Sequence, residues 1–216
     1  GTYTLVKTVL ENTGIDYEIV SLRGKTISGC IACLGCAKDN VCRIEDDMTP
    51  LREKLMEADA IVFGAPNYFS TLNANSHAFL ERLYQFRHQA KDTLWGKLAV
   101  AIGVGGKDGS FPADDIEKFF LYNFVETVDK VTGQGAASCF TSGYGETCAV
   151  GLPQMLFGPD VKITPEIIPD VKKQPDVMKE AADAGKRLGE RLGNHDREAV
   201  TQAMMEKMMA MMGGDV

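Results

Sequence analysis

Several things are scarce or missing in this chain, and each absence removes a class of protein. No apolar run is long enough to span a bilayer; the longest, such as Leu98–Val104, stop far short. Positive charge is not in excess, since 23 Lys and Arg stand against 30 Asp and Glu for a net charge of −7, and no nucleic-acid partner is expected. Six cysteines in 216 residues are too few for a disulfide scaffold. The three histidines, His77, His88 and His195, have no second ligand at metal-binding spacing and read as structural. No Ser-His-Asp set or carboxylate pair stands out, so hydrolysis has little support. There is no internal repeat, and no initiator Met, basic leader or apolar h-region at Gly1-Thr2-Tyr3-Thr4, so part of the natural protein is expected in front.

What remains is an ordinary globular composition, 44% apolar and 25% charged, in a length suited to one domain with an appendage. Leu5, Val6, Val9 and Leu10 recur at helical spacing and predict a helix over Thr4–Asn12, with Thr2 or Thr4 as cap and Gly14 as stop. Tyr17–Leu22 alternates as a strand would. Asp46-Asp47-Met48-Thr49-Pro50 starts a helix through Glu57. Asp59–Ala65 and Lys97–Val104 are continuous apolar runs, as in buried parallel strands. Helices are predicted over Ala74–Gln89 and Asp114–Lys130, a short strand over Gly135–Phe140, an irregular Leu152–Pro175, and two final helices, Val177–Leu192 and Arg197–Met212. Strands alternating with helices define an α/β protein with a doubly wound parallel sheet, whose ligands bind beyond the carboxyl ends of the strands. Residues 1–193 form this domain and 194–216 a helical tail. The expected central strand is missing, which predicts about ten residues of strand and loop ahead of Gly1.

The chemistry concentrates between residues 29 and 43. Cys30-x2-Cys33-x2-Cys36-x5-Cys42 puts three thiols on one tight turn and a fourth shortly after. This spacing suits a cubane, whose irons take thiolates at several corners, better than one tetrahedral zinc with separated ligand pairs. A loop of reduced thiols with no metal is the plain alternative. Either way the cluster of cysteines implies a reducing, cytoplasmic setting. Cys139 and Cys148 read as small buried hydrophobes.

The Cys30–Met48 stretch, with Asp46-Asp47-Met48, then Gly64-Ala65-Pro66-Asn67-Tyr68-Phe69 and a helix holding Phe79-Leu80-Glu81-Arg82, resembles the iron–sulfur flavoproteins of the wider NADPH-dependent FMN reductase and multimeric flavodoxin group. The resemblance runs from Gly1 to about Gly106. It implies a flavodoxin-like fold, FMN at the strand ends, a [4Fe-4S] cluster on Cys30, Cys33, Cys36 and Cys42, and a homodimer or homotetramer in which one subunit's cluster approaches another's flavin. It also implies electron flow from a ferredoxin-like donor through the cluster to FMN and on to O2, peroxide or a quinone. The competing readings are a cluster-free NAD(P)H-dependent FMN or quinone reductase, and a non-catalytic metal- or flavin-binding module. For FMN, Gly1, Thr2, Tyr3 and Thr4 would end the phosphate turn, though they serve equally as a helix cap. Pro66, Asn67, Tyr68 and Phe69 would meet the ring, or form a turn with core aromatics. Gly103, Gly105 and Gly106 would let a planar ligand lie on backbone; their spacing is not the dinucleotide G-x-G-x-x-G. In the tail, Met204, Met205, Met208, Met209, Met211 and Met212 make an apolar stripe suited to core packing or subunit contact.

Overall fold

The structure, a computed structural model, describes residues 1–91 and 93–213. Its centre is β3, Leu98–Gly105, buried at every position. It pairs in parallel with β1, Ala60–Tyr68, on one side and with β4, Glu126–Gln134, on the other. A two-residue β2, Thr71–Leu72, folds back antiparallel on the end of β1, giving the order β2-β1-β3-β4. Because successive side chains point to opposite faces, β3 feeds two cores. Leu98, Val100, Ile102 and Val104 pack with Leu5 and Val9 of α1, Thr2–Glu11, and with Ala181, Ala184 and Leu188 of the long C-terminal helix Pro175–Gly193. Ala99 and Ala101 face the other way, into a cluster with Leu51 and Leu55 of α2 (Met48–Glu57), Phe79 and Leu80 of α3 (Ala74–Glu81), and Ile116 and Phe120 of α4 (Ser110–Tyr122). Helices thus cover both faces, the doubly wound arrangement expected. Phe120 and Ile116 are wholly buried; truncating a Phe in such a place costs about 3–5 kcal/mol.

Small residues set the packing distances. A Cβ on Gly64 would stand 2.7 Å from the methyls of both Thr2 and Val6, so α1 lies on β1 only because that position is bare.

The elements differ from the sequence reading in six places. Tyr17–Leu22 is not a strand: no described strand runs along the open edge of Ala60–Pro66, so its β-rich alternation has no ladder to join. The helix expected to reach Lys130 stops at Tyr122, where Phe124 turns left-handed (φ 52°), and the chain returns as β4. The strand expected over Gly135–Phe140 therefore lies earlier, and its charges are answered by helices: Arg191 bonds Glu126 at 2.5 Å, Arg187 bonds Asp129, and Lys130 reaches Asp114 and Glu117. The helix predicted over Ala74–Gln89 is two pieces, α3 and a 3-10 turn, Arg82–Phe86. Within the irregular stretch, Leu152–Phe157 forms one short helix, α5, so the helix Pro175–Gly193 is α6. At the first helix the cap is Gly1, not Thr2 or Thr4.

The last helix, α7 (Arg197–Met211), is pinned at its start. Asp196 caps it, accepting from the Glu198 and Ala199 amides, while His195 Nε2 meets the Gly96 carbonyl at 2.7 Å and Arg197 donates to the Trp95 and Thr93 carbonyls. Gly96 is required there, with φ +73° and the Arg197 carbonyl 2.1 Å from where a Cβ would stand. Met204, Met205 and Met208 are half-buried; Met209, Met211 and Met212 are exposed. None of the described helices is long and apolar enough to cross a membrane.

Candidate functional site

The residues expected to hold FMN converge on one edge, the carboxyl ends of the parallel strands. A Cβ on Gly1 would touch Val104 at 2.9 Å, which places the N-terminus of α1 beside the end of β3. No side chain caps that helix and its first turn carries no acid, so its leading N–H groups suit an anion. Thr2 and Thr4 are half-buried and Tyr3 is exposed. Pro66 and Asn67 close β1. Asn67 donates from Nδ2 to the Asp108 carbonyl at 2.7 Å, while its Oδ1 is buried with no partner, an acceptor left over at the edge where a ligand would bind. Tyr68 is the last residue of β1, paired with Thr71, and Phe69 and Ser70 make the turn of a tight hairpin. Phe69 and Ser70 both take left-handed backbone (φ 54° and 60°), and Phe69 is fully exposed. A bulky residue held so is a strained one, and strain of this kind collects at binding sites. It is not a core aromatic.

The glycines answer first to their own loop. A Cβ on Gly103 would meet the Gly109 carbonyl at 1.8 Å and one on Gly105 the Asp108 carbonyl at 1.9 Å, so both positions let the turn after β3 fold back on the strand. Asp108 holds that turn by accepting from the Ser110 amide and hydroxyl, which also keeps its carboxyl below the ordinary range. Gly106 faces Ala137 and Leu152.

The cysteine loop lies outside this edge, and its geometry depends on residues the sequence reading left as helix surface. Cys30 and Cys33 are exposed, Cys42 is half-buried and Cys36 is buried. The backbone is left-handed at Ala32, Leu34 and Asn40, which winds three cysteines into a compact turn. Burial pushes the Cys36 thiol up, and Cys42, Cys30 and Cys33 push it in the same direction. Among the described residues no three His, Cys, Asp or Glu side chains converge on a single ion. In a cubane each thiolate binds a different iron, so its four sulfurs stand further apart than at one tetrahedral metal.

Three side chains from the end of α3 and the turn after it hold the loop. Glu81 accepts from the Cys30 amide at 3.1 Å, Gln85 accepts from the Cys42 amide at 3.2 Å, and Arg82 ties the neck between them. Arg82 and Asp46 are a buried pair, 1% and 7% exposed, with Nη1 to Oδ2 at 2.7 Å and Nη2 to Oδ1 at 3.3 Å. Burial alone would raise the Asp46 carboxyl, but the guanidinium and the Ser28 and Met48 amides hold it below its usual range. Asn40, wholly buried, bonds the Gln89 and Lys91 carbonyls and the His88 and Gln89 amides. Asp46, Glu81 and Arg82 belong to the segments that carry the family resemblance, and the i, i+4 spacing of Glu81 and Gln85 puts both on one side of a turn.

Elsewhere, His77 pairs with Glu81 at 3.4 Å and His88 lies edge-on to Tyr84, both structural roles. Cys139 and Cys148 are half-buried rather than buried.

A parallel sheet covered on both faces, with an open helix N-terminus and an unpartnered acceptor at its carboxyl edge, defines a flavodoxin-like α/β fold, a class whose ligands bind at the strand ends. The fold agrees with solved structures: a Trp repressor binding protein from Bacillus subtilis, with TM-score 0.54, 16% identity, and 85% of this chain and 90% of that one covered, and RosB bound to 8-demethyl-8-formylriboflavin-5'-phosphate, with TM-score 0.53, 20% identity, and 100% and 82% covered. The chain belongs to the NADPH-dependent FMN reductase family, which it matches over residues 1–137. Among its relatives are iron–sulfur flavoproteins of Archaeoglobus fulgidus, 38% identical over 58% of this chain and 64% of that one, and of Methanocaldococcus jannaschii, 34% identical over 53% and 60%. The matched span is less than two thirds of either relative. The family is one of FMN-dependent oxidoreductases, and the uncapped α1 terminus and the free Asn67 Oδ1 fit that cofactor.

Proposed function

We propose that the chain moves electrons between a low-potential, ferredoxin-like donor and a small acceptor such as O2, peroxide or a quinone, holding FMN at the strand ends and a [4Fe-4S] cluster on Cys30, Cys33, Cys36 and Cys42. When bound, FMN supplies interchange between one- and two-electron chemistry and the cluster supplies single-electron transfer. The observation that carries the reading is one framed loop, wound by left-handed backbone at Ala32, Leu34 and Asn40, with the Cys30 and Cys42 amides held by Glu81 and Gln85. Burial disfavours the Cys36 thiolate, so metal binding would deprotonate Cys36 and couple ligation to proton release. At the other site, Gly1, Thr2, Tyr3 and Thr4 would present backbone N–H groups to the phosphate. Pro66, Asn67, Tyr68 and Phe69 would line the ring, Asn67 Oδ1 accepting from it, with the turn after Gly103 and Gly105 beneath and Gly106 beside it.

Assembly belongs to the same proposal. Ile31 and Leu34 lie exposed within the cysteine loop and Phe69 is fully exposed at the strand end. A homodimer or homotetramer would cover these and bring a loop of one subunit toward the flavin edge of another. Free thiols on an exposed loop suit a reducing, cytoplasmic setting.

The second reading, a cluster-free NAD(P)H-dependent reductase, is favoured by the exposure of Cys30 and Cys33. The two separate on Cys36→Ala. A cluster protein loses most of its iron and keeps its FMN, while Cys139→Ala keeps both. Equal iron content in Cys36→Ala and the parent would end the cluster reading.

A further inference from the structure

We infer that Arg82 is a positioning residue for the cysteine loop: its planar fork, gripped by Asp46, fixes the separation of the two ends of the loop and thereby the places of Cys30 and Cys42. This rests on the cluster reading and deepens it. The guanidinium donates from Nη1 to the Ser28 carbonyl at 3.0 Å and from Nη2 to the Ile44 carbonyl at 3.1 Å. Ser28 lies two residues before the first cysteine of the loop and Ile44 two residues after the last, so one side chain spans the neck. Asp46 faces the fork and also takes the Ser28 amide at 2.9 Å, closing the same gap from the other side. Below them the Thr26 amide donates to Asp47 at 2.6 Å and the Asp47 amide to the Thr26 carbonyl at 3.1 Å, a second rung.

The neighbours of Arg82 set the geometry further. Glu81 and Gln85, one residue before and three after it, hold the Cys30 and Cys42 amides, so the neck and both end cysteines hang from five consecutive residues. Arg82 also lies beside the Cys42 side chain, and its hydrogen bonds to Asp46 offset the burial of the guanidinium and keep it protonated. Buried ion pairs are seldom retained for stability, since apolar residues of equal volume serve as well; fixing a unique geometry is their better-attested use. Only a planar fork reaches Asp46, Ser28 and Ile44 together, because a lysine ammonium is a point donor. A positive group beside a ligand sulfur also raises the potential of a cluster held there.

The test uses the anaerobically purified, FMN-loaded full chain. Arg82→Lys keeps the charge next to Asp46 and removes the fork. Arg82→Met combined with Asp46→Leu replaces the pair by apolar groups, so that a failure of Arg82→Lys to fold does not stop the measurement. Either variant, folded and holding FMN, is expected to lose more than half its iron and acid-labile sulfide. The clusters that remain in the double variant should have a lower midpoint potential than the parent. Wild-type iron, sulfide and potential in both variants would overturn the inference. If the parent itself carries no iron, the cluster reading has failed, and the latch is then read on thiols with a maleimide. Cys36 should label at least tenfold more slowly than Cys30 and Cys33 in the parent, and within twofold of them in the variants. A Cys36 equally protected in the variants would overturn the latch alone.

Discussion

Asn40 gives the sharpest measure of how firmly the cysteine loop is held. Its side chain is fully buried and makes four hydrogen bonds between 2.7 and 3.1 Å to the Gln89 and Lys91 carbonyls and the His88 and Gln89 amides. Its backbone is left-handed (φ 57°), and its amide donates to the Cys36 carbonyl at 2.8 Å. Asn40→Ala therefore strands two carbonyls and two amides and puts a Cβ-bearing residue without a local hydrogen-bonding side chain into a disfavoured conformation. Each stranded group costs about 1–3 kcal/mol when water cannot reach it. The left-handed turn adds roughly 1 kcal/mol. With water relieving some of the stranded groups, the loss is about 4 kcal/mol, on the order of 10 °C in Tm for a chain of this length. Asn40→Gly should recover only the conformational part, about 1 kcal/mol. Asn40→Asp keeps the shape but turns carboxylate oxygen toward the Gln89 and Lys91 carbonyls, so it should be no better than alanine. Urea unfolding of FMN-saturated protein at one FMN concentration measures all three. An Asn40→Ala midpoint within 1 kcal/mol of the parent, an allowance well below the loss estimated from these hydrogen bonds, would refute the reasoning.

Three further outcomes are expected. Gly105→Val would drive a side chain into the Asp108 carbonyl and the Asn67 Cβ, 1.9 and 3.1 Å from its Cβ; FMN affinity should fall at least about tenfold by fluorescence titration, and unchanged affinity would detach this turn from the site. Lys97 is 3% exposed and donates to the Met56 and Ala58 carbonyls; burial brings its pKa from 10.5 down to about 8. Between those values the unfolded chain binds one proton more than the folded chain, so folding stability rises with pH there, and the parent should gain about 3 kcal/mol relative to Lys97→Met from pH 8 to 10.5 in urea titrations. Ending the chain at Asn194 removes α7 and its grip on the Thr93–Gly96 turn; sedimentation should show a smaller assembly, and an unchanged one would discard the role of the methionine stripe.

The sheet was legible where apolar residues run unbroken. Lys97–Val104 read as a strand because a strand buried on both faces is apolar throughout, and β3 is buried at every position; Asp59–Ala65 read the same way and also forms a strand, though β1 alternates between buried and half-buried positions. Glu126–Gln134 was not legible. It is an outer strand whose Glu126, Asp129 and Lys130 are neutralised by α6 and α4, partners 13 to 65 residues away, so its local pattern resembles a solvated helix. Tyr17–Leu22 failed in the opposite sense, because propensity without a neighbouring strand makes no ladder. At the candidate site, the cysteines and the strand-end segment Pro66–Phe69 announced themselves through spacing and through position after a buried strand. The frame around the loop showed only as motif residues, not as contacts: Asp46 and Arg82 stand in the resembling segments, but Arg82 meets Asp46 across 36 residues and Asn40 meets Lys91 across 51, and nothing in a helix-like polar run tells which of its charges will be buried.

The most direct test is iron and acid-labile sulfide counted per chain, alongside FMN, in protein purified without oxygen. The account predicts about four of each per chain with one FMN, and loss of the iron, not the flavin, in Cys36→Ala. Full FMN with less than about one iron per chain would contradict it and leave a cluster-free flavin reductase.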